Sequence, residues 1–142
     1  MISIMEAARH FVYLSYQEDC NSLTPLKLQK ILYLAQGWSY VWDDKPLFLG
    51  NFEAWQYGPV NSEVYYHFKK YGSDEIPKEE GAFCLRDREC RATIEAVWKE
   101  YGRYSAFALV NITHEQTPWK KAYETDSLIK NSDIRDYFQS TY

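Results

Sequence analysis

Apolar residues recur at three- and four-residue spacing along most of the chain, and this period predicts a mainly helical protein. Between Ser3 and Gln17 the residues Ile4, Ala7, Ala8, Phe11, Val12 and Tyr16 form one stripe, which predicts a first helix. Thr24-Pro25 marks the start of a second, because a Thr oxygen caps free amides and proline at the first helical position sacrifices no hydrogen bond. That helix is predicted from Pro25 to about Val41, with Leu28, Ile31, Leu32, Ala35, Trp38 and Trp42 on one stripe and Lys27, Lys30 and Ser39 largely outside it. Asp43-Asp44-Lys45-Pro46 breaks the pattern. The short aromatic stretch Leu47 to Trp55, centred on Gly50-Asn51, predicts a small β-hairpin or strand excursion, and Tyr57-Gly58-Pro59-Val60 a turn. Asn61 or Ser62 can cap a third helix carrying Val64, Tyr65 and Phe68, ending at Gly72 as a left-handed cap. Ser73 to Gly81 is polar and predicts the mobile surface loop. Arg88 to Tyr101, with Ile94, Val97 and Trp98, predicts a fourth helix stopped by Gly102. Ser105 caps a short fifth through Phe107, Leu109 and Val110. Thr117-Pro118 starts a sixth with Trp119, Ala122 and Tyr123, and Ser132 caps a last one from Asp133 to Gln139 that buries Ile134, Tyr137 and Phe138. The expected fold class is mainly α: one compact helical domain, residues 1–142, of about six or seven helices with a hairpin or strand excursion near residues 47–56.

Composition narrows the function classes. A chain of 142 residues has the size of one domain, and its 46% hydrophobic and 18% aromatic content supplies a core without disulfides or metal. A net charge of −4 argues against direct nucleic-acid binding, which uses basic patches. Lys27, Lys30, Asp43 and Asp44 interrupt the longest apolar region, so no membrane span is expected. Met1 to Met5 lacks the basic start and apolar run of a signal peptide. Cys20, Cys84 and Cys90 are odd in number and form no C-x-x-C pair, which fits a reducing cytosol and a cytoplasmic protein.

Candidate chemistry is sparse. His10, His67 and His114 stand far apart and outside H-E-x-x-H spacing, so no metal site is expected. His114 beside Glu115 is the one conceivable base with an orienting carboxylate; adjacent helical residues do not face each other, and a His114 bonded to backbone before Thr117-Pro118 is the plainer reading. Cys20 lies between Asp19 and Asn21, where an acidic neighbour raises a thiol pKa, so no nucleophile is expected there. Lys27, Lys30, Lys69 and Lys70 lie among aromatics, but with an acidic total they are expected to be solvated lysines whose stems cover apolar surface. No catalytic residue and no cofactor are expected. The five Trp and thirteen Tyr exceed what one small core needs, and about a third are expected on an exposed recognition face.

Taken together the motifs resemble one family. Thr24-Pro25-Leu26-Lys27-Leu28-Gln29-Lys30-Ile31-Leu32-Tyr33-Leu34-Ala35-Gln36-Gly37-Trp38, then Pro46-Leu47-Phe48, then Phe52-Glu53-Ala54-Trp55-Gln56-Tyr57-Gly58-Pro59-Val60, look like the signature of the Panacea-domain (SocA-like) antitoxins. Thr113-His114-Glu115-Gln116-Thr117-Pro118-Trp119-Lys120-Lys121-Ala122 and Ile134-Arg135-Asp136-Tyr137-Phe138 are similar to the family's C-terminal motif and end helix. The resemblance covers nearly the whole chain and is weakest from Ser73 to Arg91, where partner choice is placed. Many members carry a further DNA-binding domain, whereas here the signature starts within about two helices of the N-terminus, so autoregulation on DNA is not expected.

The resemblance implies a bacterial or phage antitoxin that neutralises a cognate toxin encoded by an adjacent gene, by direct binding over the toxin's active site. The implied toxins include translation inhibitors such as small alarmone-synthetase-like enzymes that modify tRNA, and the complex is open to higher-order hetero-oligomers. Two alternatives stay open: a protease adaptor that delivers the toxin for degradation, and a small hydrolase or nucleotide-handling enzyme using His114. The expected partner-binding face combines Lys27, Gln29, Lys30 and Gln36, taken as exposed residues of the second helix, with the turn Gln56, Tyr57, Gly58 and Pro59. No membrane or nucleic-acid partner is expected.

Overall fold

The computed structural model describes residues 1–17, 21–78, 84–125 and 128–142. Its organising element is a long helix at the centre. After a two-residue strand β1 (Ile2–Ser3), α1 (Ile4–Leu14) begins on a capping box in which Ser3 and Glu6 exchange hydrogen bonds. The central helix α2 (Pro25–Asp43) starts where Thr24 Oγ1 accepts from the Lys27 amide. It runs two residues past Val41 and ends on Asp44, whose φ of 54° is left-handed. Two further strands, β2 (Phe48–Leu49) and β3 (Phe52–Trp55), precede β4 (Gly58–Val60). Then come α3 (Ser62–Phe68), extended by a 3-10 turn Lys69–Tyr71, α4 (Arg88–Tyr101), α5 (Ala106–His114), α6 (Thr117–Thr125), β5 (Leu128–Ile129) and α7 (Asn131–Thr141).

The sequence-based helices all form, and most predicted caps hold. Asn61 Oδ1 accepts from the Val64 amide and Ser105 Oγ from the Ala108 amide. Gly72 has the positive φ expected of it, at 57°, though its ψ of −120° is not that of a left-handed helical residue. The last helix departs from expectation: it starts at Asn131, with Lys130 at the cap position and no side-chain cap, so Ser132 lies inside the first turn. The sixth starts at Thr117, one residue earlier than the Thr-Pro signal implies, and the Lys120 amide bonds to the Gln116 carbonyl.

The strand excursion also pairs differently from the hairpin centred on Gly50-Asn51. Strand β2 lies parallel to β1, with Ile2 opposite Phe48. The hairpin is instead β3–β4, antiparallel from Glu53↔Val60 to Trp55↔Gly58 around the two-residue turn Gln56-Tyr57, and β5 flanks β3 on its other side. Of the loop predicted from Ser73 to Gly81, the described part is anchored: Ile76 is buried and its amide donates to the Leu23 carbonyl at 3.0 Å. Residues 79–81 lie outside the described residues.

Helix α2 packs against α1, α3, α4, α5, α7 and β4. It is therefore buried nearly all round and not along one stripe. Tyr33 sits at its middle with Phe52 and Phe138 edge-on at 5.7 and 5.8 Å between ring centroids. Gly37 makes room for Phe138 of α7: a Cβ there would lie 2.4 Å from the Phe138 ring. Gly37→Ala is expected to destabilise the protein by about 1–2 kcal/mol, since overpacking exceeds the helix-propensity gain. A lowered urea midpoint at unchanged slope would show this.

Candidate protein-binding site

The polar residues of α2 do not reach solvent. Lys27 and Gln29 are each 4% exposed, and Lys30 and Gln36 are fully buried, which corrects the expectation that these four form an exposed face. The physical reason is that the irregular chain beside α2 leaves backbone groups without ladder partners, and buried backbone groups require them. Gln36 supplies three bonds: its Nε2 donates to Phe48 O at 3.0 Å, and its Oε1 accepts from the amides of Leu47 and Phe48 at 2.8 and 3.3 Å. Gln29 does the same for Asn61, donating to its carbonyl at 3.1 Å and accepting from its amide at 2.8 Å. Lys27 Nζ donates to the carbonyls of Ser22 and Gly102 and lies 5.4 Å from the Trp98 ring centroid. Lys30 Nζ donates to Pro59 O at 2.9 Å, and burial pushes its amine down to about 7.

The C-terminal motif closes on the same hairpin. Tyr33 Oη donates to Gln116 Oε1 at 2.7 Å, Trp119 Nε1 donates to Trp55 O at 2.8 Å, and Thr113 packs against Gly58. Segments far apart in sequence thus meet at one hub that fixes the β3–β4 hairpin against α2. Gly58 and Pro59 belong to the hub and are buried; Gln56 and Tyr57 project from it as the exposed turn. Of the eight residues expected to form a partner face, only these two are exposed.

Outside the hub lies a groove of about 430 Å³ between the start of α2, the hairpin turn and α3. Leu26, Trp55, Tyr57, Val64, Tyr65 and Phe68 make its walls largely apolar, and Lys69 is the one charged residue among the described residues that line it. Its rim is aromatic: Tyr57 is 50% exposed and meets Phe107, 60% exposed, edge-on at 6.0 Å. Tyr65 lies 4.9 Å from Trp55 and 5.4 Å from the exposed Tyr66, over which the Lys69 ammonium sits at 4.9 Å. Such amphipathic aromatics combine large contact area with few rotors, as binding surfaces require. The sequence pattern places Tyr65 and Phe68 on the third helix and Phe107 on the fifth without marking Tyr65 or Phe107 as surface residues. The adjacent Tyr65-Tyr66 pair on a short helix is the available signal, since neighbouring residues lie about 100° apart around a helix and a short helix packed on one side exposes one of them.

His114 sits in an aromatic stack. Its ring stacks on Trp119 at 4.0 Å, while Glu115 points to Lys120 at 3.9 Å and is not its orienting carboxylate. Among the described residues no backbone group bonds to the His114 side chain; the Gln116 and Trp119 side chains hold that turn instead. Among the described residues no group of His, Cys, Asp and Glu could hold a metal ion, and no helix is long and apolar enough to cross a membrane. Cys84 and Cys90 are free thiols; Cys20 lies outside the described residues.

The model of the family described as antitoxin SocA-like, Panacea domain, matches residues 28–120. The chain belongs to this family. It is also 37% identical over 109 residues to Antitoxin SocA of Caulobacter vibrioides (strain NA1000 / CB15N), a match covering 68% of this chain and 58% of that protein. The chain thus aligns with less than two-thirds of the relative's length. No solved structure matches. The Panacea match runs from α2 to the start of α6 and so contains both sides of the hub, Lys30 with Pro59 and Trp55 with Trp119.

Proposed function

We propose that this protein is a cytoplasmic antitoxin that neutralises a cognate toxin encoded by an adjacent gene through direct protein–protein binding. The observation that carries the reading is an exposed aromatic groove built on the residues of the Panacea signature, in a family described as antitoxin SocA-like. The relative named Antitoxin SocA supports the same role. The contact surface consists of the Gln56-Tyr57 turn, Phe107 and the groove beside α3, while Lys27, Gln29, Lys30, Gln36, Gly58 and Pro59 hold that surface in shape from beneath. A standard interface removes about 800 Å² from each partner, within reach of a domain this size. Coverage of the toxin's active site, and a translation-inhibiting toxin of the small alarmone-synthetase type, are the finer forms of the same proposal.

Co-expression with the neighbouring gene product tests it. Rescue of growth together with co-purification of one complex is the expected result. Tyr57→Ala is expected to weaken that complex at least about 10-fold, as loss of an aromatic anchor does, while melting close to the parent because half of the side chain is solvated. Rescue that disappears in cells lacking a protease would instead establish the adaptor mechanism, and a harmless neighbour that fails to co-purify would remove the antitoxin reading.

A further inference from the structure

A second aromatic cleft lies away from the hub, between the C-terminal part of α2, the end of α7 and α4. It has a volume of about 410 Å³ and is lined by Trp38, Trp42, Tyr101, Tyr142 and Glu100, with Ala96 and Val97. Trp38 meets two rings, stacking with Trp42 at 5.0 Å and lying tilted against Tyr142 at 4.7 Å between centroids. Its indole donor is used internally, bonding to Tyr101 Oη at 3.0 Å, so the row of rings is locked in place. The outer members stay in solvent: Trp42 is 48% and Tyr142 52% exposed. Glu100 is exposed, and among the described residues no Lys, Arg or His lines the cleft.

Ring faces carry negative electrostatic potential and so does a carboxylate, so the walls agree in sign. An apolar occupant would bury Glu100 without compensation, and an anion would be repelled. A cation is attracted by both. Among cationic side chains a guanidinium fits best, because it is planar, weakly hydrated, stacks on indole faces and engages a carboxylate through two parallel N–H bonds. We infer that this cleft receives an arginine side chain presented by a protein partner. The inference stands apart from the antitoxin reading and uses none of the groove residues.

The test uses the full chain and three small probes, N-acetyl-arginine amide, its neutral isostere N-acetyl-citrulline amide, and N-acetyl-lysine amide, followed through the indole N–H signals in ¹H–¹⁵N spectra. The expected result is saturable shifts of the Trp38 and Trp42 signals with the arginine probe and at least about 5-fold weaker responses with the other two. Glu100→Gln should weaken the arginine probe about 3- to 5-fold, as an exposed ion pair does, and Trp42→Ala should abolish the response. Glu100→Gln alters only a solvated side chain, so its result stands even if Trp42→Ala fails to fold. Equal responses to arginine and citrulline, indifference to Glu100→Gln, or shifts confined to the Trp55 and Trp119 signals would overturn the inference. Lysine binding as tightly as arginine would overturn the choice of guanidinium.

Discussion

Gly58→Ala is expected to destabilise the protein by about 3 kcal/mol, which lowers the melting temperature of a chain this size by roughly 10 °C. Two costs add at this position. Gly58 closes the Gln56-Tyr57 turn with φ at +105°, a conformation side chains rarely adopt. A Cβ there would also lie 2.7 Å from Lys30 Cε and 2.9 Å from Thr113 Oγ1, both buried and both fixed by their own hydrogen bonds. Gly72 supplies the control, because its φ is +57° but a methyl group added there would meet nothing within 4 Å. Gly72→Ala should therefore cost the backbone term alone, about 2 kcal/mol, because its φ of 57° with ψ of −120° is a conformation essentially confined to glycine. Thermal melts of the two variants side by side separate strain from crowding: equal losses would mean that the hub yields around Gly58 and is not the rigid support of the groove. In the co-expression assay Gly58→Ala should weaken toxin binding as well, since displacing the hairpin moves Tyr57 with it.

Much of the fold is legible in the sequence because its signals are local. Thr24, Asn61 and Ser105 cap helices with hydroxyl or amide oxygens reaching only three residues ahead, and such contacts depend little on the rest of the molecule. The strand excursion is visible as a short aromatic stretch, but its pairing is not. Gly50-Asn51 carries turn chemistry, yet Phe48–Leu49 finds its partner at Ile2–Ser3, a non-local choice that no dipeptide encodes. Helix α2 departs in an instructive direction. Period 3.6 identifies the side facing one neighbour, whereas this helix has neighbours all round, so the pattern places Lys27, Gln29, Lys30 and Gln36 in solvent when they satisfy the backbone of the chain around them. Of the candidate site, only Gln56 and Tyr57 are legible; Tyr65 and Lys69, one turn apart on α3 and its 3-10 extension, and Phe107 of α5 meet the hairpin turn through tertiary packing.

Raising the pH from about 7 to 9.5 is expected to stabilise the protein, by up to about 1.4 kcal/mol per pH unit. Lys30 is fully buried, donates to Pro59 O and has no ion-pair partner among the described residues, so burial brings its amine from the usual 10.5 down to about 7. In the unfolded chain the same amine holds its proton to about pH 10.4. Between those values the unfolded state binds the extra proton, so each rise in pH favours the native state; below about 7 both states are protonated and the cost of the buried charge is present in full. Lys27, also lowered by burial, contributes with the same sign. Near pH 10 the trend reverses, because burial holds the Tyr33 phenol well above its ordinary value while the unfolded phenol ionises. Urea midpoints at pH 7, 8 and 9 should therefore climb. Lys30→Met should flatten that climb while losing about 1–3 kcal/mol at pH 9, where Pro59 O is left without its donor, and losing less at pH 6, where the substitution also removes a buried charge. A parent profile as flat as that of the variant would mean that Lys30 keeps its proton in the folded state.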